Sequence, residues 1–350
     1  MKISQELSNK FANMSFVCAC LVVLIHCYLP SPKGSAIWWF TETIGGGARW
    51  TGGLVRIAVP FFFLASGFFL AGETDRPNWW REAVMKRIRT LIIPFFFWSA
   101  VLAMLTFGFR CFLRGEIPNI SLLQNAFGLE LYGLPLHWPL WFVKCLFLLV
   151  LSSFLILKLN SLVFLFVTLV SWGLHECHVV NVSSVWYEIF GNCFALSGLF
   201  WFSVGMYLRH HKVRPINTSE QTVIITVAAI LLMLHAYCEF RAIGLRGISL
   251  GLFFRWLSIP FAMCAIWIFV PPKRWPQWMV GNSFAIFVIH YILLVIIKRF
   301  GGDMLFGHTS CMMFLELIGL WCVALFGSIV IAESIRHFSV QTAKLIFGGR

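Results

Sequence analysis

Residues 56–70 read RIAVPFFFLASGFFL, a run in which a single charge is followed by an almost unbroken apolar stretch. A helix with this composition is apolar on every face, which is typical of a segment surrounded by lipid or by other apolar helices. Pro60 removes a backbone hydrogen bond and is expected to bend or break the helix. Ser66 and Gly67 are small enough to allow close approach of a neighbouring helix.

The composition of the whole chain agrees with that stretch. Of 350 residues, 59% are hydrophobic and only 12% are charged, and the mean hydropathy is +0.84. A soluble domain carries roughly 25% charged residues. A soluble core of this size could not hide so much apolar surface from water, and the sequence therefore predicts a membrane protein.

Ten segments come close to the roughly 20 apolar residues that a membrane span needs. They lie near 13–30, 53–72, 90–109, 139–157, 160–175, 190–208, 221–239, 249–270, 282–298 and 313–333. No loop between them is long enough for a soluble domain. The fold class predicted is all-α, a polytopic bundle of about ten spans that forms one domain over residues 1–350.

The orientation follows from the distribution of Lys and Arg in the short loops. With the N-terminus inside, the inner segments hold 16 such residues and the outer segments hold 8. This bias predicts that both termini are cytoplasmic. It also accounts for the net charge of +13, so the basic balance indicates no nucleic-acid partner.

Ionisable side chains inside the predicted spans need a reason to be there, because the bilayer makes them costly and they usually mark function. His26 ends the first span near the outer side, where it is either a general base or a boundary histidine bonded to a carbonyl. Arg56 either reaches up to the outer surface or binds an anion or carbonyl oxygen in the bundle. Lys144 and His290 lie deeper, and His290 is expected to have a polar partner.

Two further groups lie at the ends of spans. His137 enters the fourth span from outside next to Trp138, where an interfacial aromatic belt is the default explanation. Lys86, Arg87 and Arg89 precede the third span on the inner side. Clustered cations there suit a polyphosphate ligand or the anionic headgroups of lipids equally well.

A metal site is not expected. His175-Glu176-Cys177-His178 contains candidate ligands, but it lacks the helical HExxH spacing and falls in a short outer loop. The cysteines include no CxxC pair.

Several of these segments, in this order, resemble the acyltransferase-3 family of membrane O-acyltransferases, and in particular its short single-domain members that acetylate cell-envelope glycans such as enterobacterial common antigen. The segments that carry the resemblance are Leu21–His26, Arg56–Leu70, Arg87–Trp98, Leu140–Leu149 after His137, Phe202–Arg209 and Ser283–His290.

The resemblance implies transfer of an acyl group, most often acetyl from acetyl-CoA, to a hydroxyl of a glycan or a lipid-linked saccharide in the bacterial inner membrane. His26 would be the catalytic base, and Arg56 or His137 would stabilise the oxyanion or orient the acceptor. Lys86, Arg87 and Arg89 would bind the CoA phosphates, while Lys144, Ser66 and His290 would give polar support in the bundle. The implied partners are acyl-CoA, the glycan and membrane lipids.

One position departs from the family pattern. The family usually has Arg or Lys eleven positions before the helix-one histidine, and this chain has Ser15 there, with Lys10 nearby but out of register. This substitution keeps open an inactive acyltransferase-like scaffold. A transporter or exporter of a glycan or small anion is a separate alternative to the enzyme.

Overall fold

The computed structural model describes residues 3–27, 29, 31–45, 52–115, 127, 136–177, 196–211, 214, 216–245, 248–301 and 309–349. Almost all of the secondary structure in these ranges is helical. The α-helices are α1 (Gln5–His26), α2 (Ala36–Thr43), α3 (Ala58–Ala71), α4 (Trp79–Arg87), α5 (Ile93–Arg114), α6 (Trp141–Leu151), α7 (Ser153–Leu159), α8 (Leu162–Glu176), α9 (Leu196–His210), α10 (Thr218–Arg241), α11 (Leu250–Phe269), α12 (Gln277–Val280), α13 (Ser283–Gly301), α14 (Ser310–Phe338) and α15 (Val340–Ile346).

Shorter elements connect these helices at functionally interesting places. The 3₁₀ turns Leu54–Ile57 and Trp138–Leu140 lead directly into α3 and α6, and a π-helical turn over Ile88–Ile92 joins α4 to α5. The strands β1 (Gly244–Leu245) and β2 (Ile248–Ser249) pair antiparallel between α10 and α11.

Side-chain caps explain where several helices begin. At the start of α10 the Asn217 side chain accepts from the Glu220 backbone N–H at 2.9 Å, and the Glu220 carboxylate accepts from the Asn217 N–H at 3.0 Å. This capping box satisfies two backbone donors that a helix start leaves open. Ser4, Ser161 and Ser249 cap α1, α8 and α11 in the simpler way, with one side-chain oxygen each.

Six helical segments among the described residues are long and apolar enough to cross a membrane. They are Gln5–His26, Leu54–Ala71, Trp79–Phe112, Thr218–Arg241, Leu250–Phe269 and Ser310–Phe338. A seventh would be the pair α6 and α7, which is bent by 64° at Ser152. The membrane class and the all-α fold are thus confirmed, whereas the predicted number of ten spans is not.

The shortfall has a physical reason in the predicted fifth span, 160–175. The helix found there, α8, has 15 residues, which gives a length of about 22 Å at 1.5 Å per residue. That is shorter than the roughly 30 Å hydrocarbon core. The fourth predicted span, 139–157, is broken into two helices instead of continuing straight.

Helices α3 and α9 make the most extensive helix contact in the protein. Their backbones meet at two glycines: a Cβ on Gly67 would overlap the carbonyl oxygen of Phe202, and a Cβ on Gly205 would overlap that of Leu64. Small residues that let helix backbones touch are the usual basis of tight packing in lipid. The Ser66-Gly67 pair therefore marks a helix contact, as its size suggested.

We expect Gly205→Ala and Gly67→Ala to destabilise the protein, because each methyl group would force α3 and α9 apart. Overpacking of this kind costs about 1–3 kcal/mol. Gly319→Ala on α14 is the matched control, since a Cβ there meets nothing within 4 Å. Thermal unfolding in detergent measures the difference, and equal midpoints for all three variants would contradict the close-packing argument.

The C-terminal residues hold the start of α5 in place. The Trp98 indole N–H donates to the Ile346 carbonyl at 3.0 Å, and its ring stacks on Phe347 with centroids 5.9 Å apart. Phe347 is fully buried. The π-helical turn that precedes α5 is therefore anchored from one side by the C-terminal helix α15.

Candidate active site

Four of the nine candidate residues lie at one end of the bundle. We use "outer end" for the end at which α1 stops and α3 begins, because the charge bias predicts that it faces away from the cytoplasm. His26, Arg56 and His137 all lie at this end, at the last residue of α1, in the turn before α3 and in the turn before α6. Because α13 runs alongside α1, it also brings His290 to the outer half.

Three histidines from three separate segments of the chain lie close to one another and to Tyr291. The His26 ring centroid lies 5.2 Å from that of His290 and 5.4 Å from that of Tyr291. The Tyr291 ring lies 5.4 Å from that of His137. We call His26, His137, His290 and Tyr291 the histidine cluster; the structure brings together residues that are up to 265 positions apart.

His137 and His290 are completely buried in this cluster. The expectation that His137 belongs to an interfacial belt is therefore wrong for the histidine itself. Its ring turns into the bundle, because the following turn at Trp138–Leu140 packs against α13. The polar partner expected for His290 is the backbone carbonyl of Ile286, one turn earlier on the same helix.

The hydrogen bonds of these two histidines define their tautomers. His290 Nδ1 lies 2.8 Å from the Ile286 carbonyl oxygen, and His137 Nε2 lies 2.8 Å from the Val288 carbonyl oxygen. A carbonyl oxygen can only accept, so both nitrogens carry the proton. In neutral rings the other nitrogens, Nε2 of His290 and Nδ1 of His137, are then hydrogen-bond acceptors.

Arg56 belongs to a second polar group at the outer end. Arg255 on α11 donates to the Glu176 carboxylate at the end of α8 at 2.5 Å, and Arg56 lies close enough to interact electrostatically with both. We call these three residues the ion cluster. The turn that carries Arg56 packs against both α1 and α11, so the ion cluster borders the helix that ends in His26.

Sequence reasoning missed the partnership within the ion cluster. In the sequence Glu176 stands out only as part of a weak metal motif, and Arg255 has no assigned role. The signal that could have found the pair is their shared depth, since opposite charges near the outer ends of two predicted spans are expected to pair. A second buried pair was also missed: His235 Nε2 on α10 lies 3.8 Å from the Glu42 carboxylate on α2.

Among the described residues, no group of three or more His, Cys, Asp or Glu side chains is arranged to hold a metal ion. Glu176, which belongs to the candidate metal motif, binds Arg255 instead. His178, from the same motif, lies outside the described residues.

Lys86, Arg87 and Arg89, the basic cluster, lie at the opposite end of the bundle from the histidine cluster. Lys86 Nζ forms an exposed ion pair with Glu73 at 3.1 Å, Arg87 is half-buried, and Arg89 is exposed on the π-helical turn. Turns of this kind are rare and are frequent at functional sites.

The remaining two candidates occupy intermediate positions. Ser66 is half-buried on α3 next to the glycine that contacts α9, and Lys144 is half-buried on α6, two turns after His137.

At position 15, where the family usually has Arg or Lys, this chain has the uncharged Ser15. The Ser15 hydroxyl donates to the Phe11 carbonyl at 2.8 Å, within its own helix. Lys10 lies further towards the inner end, with its Nζ 5.0 Å from the centre of the Trp267 ring. Lys10 is therefore engaged with an aromatic side chain of α11 and does not take the place of the missing residue.

Nearby, Asn13 makes an inner-end contact that the sequence did not predict. Its buried side chain donates to the carbonyls of Pro271 and Lys273 and accepts from the Trp275 N–H, at 2.8–3.0 Å. It thereby fastens α1 to the loop between α11 and α12.

A comparison with protein families gives one match, to the acyltransferase domain of the acyltransferase-3 family, over residues 14–333. No curated protein matches the chain, and no solved structure does. The match covers nearly the whole chain and includes every candidate residue of the histidine, ion and basic clusters. The chain is therefore a member of the acyltransferase-3 family of membrane acyltransferases.

Proposed function

We propose that this protein transfers an acetyl group from acetyl-CoA to a hydroxyl of a cell-envelope glycan or lipid-linked saccharide, in the bacterial inner membrane. The observation that carries the proposal is the histidine cluster: buried imidazoles collected at one end of a membrane bundle in a member of an acyltransferase family. Buried ionisable groups of this kind in a membrane bundle usually mark a functional site.

His26 is the proposed catalytic base. One ring nitrogen takes the proton of the acceptor hydroxyl as its oxygen attacks the thioester carbonyl. The C–S bond then breaks, the CoA thiolate takes the proton back from His26, and the products are an ester and free CoA. An imidazole suits this step because it gains and loses a proton near neutral pH.

Arg56 is the better candidate for stabilising the negative charge on the carbonyl oxygen. The N–H of neutral His137 already donates to the Val288 carbonyl, so His137 has no second donor for an oxyanion. Arg56 carries a guanidinium, whose fixed positive charge and N–H donors act strongly on developing charge in a site shielded from water. His137 is then left with the orienting role.

The donor and acceptor enter from opposite ends in this proposal. α1 has 22 residues and is about 33 Å long, so the basic cluster and His26 lie roughly one span apart. CoA phosphates held at the inner end would leave its pantetheine arm to carry the thioester into the bundle. The acetyl group would meet the hydroxyl near the histidine cluster.

We expect Lys86→Ala and Arg89→Ala to raise the KM for acetyl-CoA, because each removes one charge-assisted contact to phosphate. A hydrogen bond to a charged group contributes about 1.5–3 kcal/mol, which predicts a tenfold or larger increase in KM. Lys158→Ala is the control, since Lys158 is an exposed cation at the same end of the bundle. An unchanged KM in the two variants would favour lipid headgroups as the ligand of this cluster.

The function as a whole is tested with purified protein, acetyl-CoA labelled in the acetyl group, and the de-esterified envelope glycan of a strain that lacks the gene. Label should enter the glycan and be released by mild base, as expected for an ester. Binding of acetyl-CoA without transfer would favour the inactive scaffold that Ser15 keeps open.

Transport of a glycan or small anion is a second candidate, and the 64° bend between α6 and α7 favours it. Transporters often build their binding sites from broken helices, usually in symmetric pairs. In the same assay, absence of acetyl-CoA binding together with uptake of glycan into proteoliposomes would support transport.

A further inference from the structure

Two acceptor nitrogens in the histidine cluster lack a hydrogen-bond donor. Nδ1 of His137 and Nε2 of His290 are buried and have no hydrogen-bond partner among the described residues. A buried polar atom that lacks a partner costs about 1–3 kcal/mol. Such atoms are rare in folded proteins, and each therefore calls for an explanation.

The two atoms share one chemical character. Since His290 donates from Nδ1 and His137 from Nε2, both remaining nitrogens present a lone pair. A carboxylate or phosphate oxygen at this place would bring lone pair against lone pair. A neutral hydroxyl, which donates its proton, satisfies each nitrogen.

Both histidines also lie beside the proposed base. His290 is in ring contact with His26, and His137 is joined to His26 through Tyr291. A substrate whose reacting hydroxyl is at His26 therefore has neighbouring atoms within reach of the other two rings.

We infer that the acceptor is a polyol, a sugar residue that places two further hydroxyls next to the one acylated, and that these donate to His137 Nδ1 and His290 Nε2. The inference rests on the proposed function and narrows its substrate to a neutral sugar face. His137 and His290 are then binding residues that orient the acceptor, while His26 removes the proton.

The two tautomers predict opposite orders of effect for Asn and Gln substitutions at His290 and His137. In glutamine the amide oxygen reaches the place of a histidine Nε2, whereas in asparagine it lies at the place of Nδ1. His290→Gln should therefore keep an acceptor for the sugar and His290→Asn should not. At His137 the order reverses, because Asn supplies the acceptor at Nδ1 and Gln does not.

The experiment measures KM for the de-esterified glycan of the gene-deletion strain and KM for acetyl-CoA in all four variants. Loss of one hydrogen bond predicts about a tenfold rise in glycan KM for His290→Asn and His137→Gln. His290→Gln and His137→Asn should stay within about threefold of wild type, and acetyl-CoA KM should stay within about twofold throughout. His337→Gln, an exposed histidine at the inner end, is the matched control.

Equal effects of Asn and Gln at both positions would overturn the inference. The opposite order would also overturn it, because the backbone hydrogen bonds of His290 Nδ1 and His137 Nε2 alone would favour Asn at 290 and Gln at 137. Unchanged glycan KM in all four variants would also overturn it and would leave water as the donor to these nitrogens. If wild-type protein transfers acetyl but the reversed order is absent, only the inference fails. If it neither binds acetyl-CoA nor transfers acetyl, the proposed function fails with it.

Discussion

Replacement of His26 by alanine is expected to abolish measurable acetyl transfer while the protein still inserts and folds. A positioned general base contributes roughly 10²–10⁴-fold to a rate. His137 and His290 each keep one acceptor nitrogen, but neither lies at the end of α1, where the proposed acceptor hydroxyl is placed. The measurement is the initial rate of label transfer from acetyl-CoA to de-esterified glycan.

The His26→Ala result has meaning only if the donor site is intact. Acetyl-CoA should bind the variant with a Kd within about twofold of wild type, because the basic cluster lies at the other end of the bundle. His337→Ala is the matched control, since it removes an exposed histidine from α14. Wild-type rates in His26→Ala would reject His26 as the base and would turn attention to His290.

The sequence was sufficient to predict the class of the fold and the polar residues at its outer end. His26, Arg56 and His290 each interrupt an apolar run, and such an interruption can be seen without a structure because lipid makes it costly. The family match over residues 14–333 agrees with the motifs quoted for it. The sequence therefore identified each histidine as a candidate, but not the contacts between them.

Their mutual arrangement could not be predicted. Nothing in the sequence indicates that His137 donates to Val288, 151 positions away, and this bond decides which ring nitrogen is left as an acceptor. The bend between α6 and α7 was missed for a related reason. Hydropathy averages over about 20 residues, and it does not register a break at Ser152. The short span predicted at 160–175 agrees with α8.

The ion cluster supports the second large prediction, which concerns stability. Arg255 and Glu176 are largely buried, with side-chain exposures of 7% and 21%, and Arg56 lies near both. Two guanidiniums thus share one carboxylate. Removal of one partner from a buried ion pair costs about 3–5 kcal/mol. Because the ion cluster holds two cations and one anion, loss of the anion and loss of one cation should destabilise the protein to different extents.

Glu176→Gln should be the more damaging change, because it removes the carboxylate that attracts both guanidiniums and leaves their mutual repulsion. Arg255→Gln should be milder, since Glu176 can still interact with Arg56. The double variant Glu176→Gln/Arg255→Gln should be more stable than Glu176→Gln alone, because it removes the repulsion between the guanidiniums. Thermal unfolding midpoints in detergent measure all three.

Arg214→Gln is the control that separates burial from geometry. Arg214 and Glu220 also lie 2.5 Å apart, but their side chains are 75% and 35% exposed, and water screens such a pair. Its loss should leave the midpoint unchanged. A midpoint for Arg255→Gln at or below that for Glu176→Gln would contradict the charge argument. It would mean that Arg255 stabilises the outer end through packing against α8 and not through its charge.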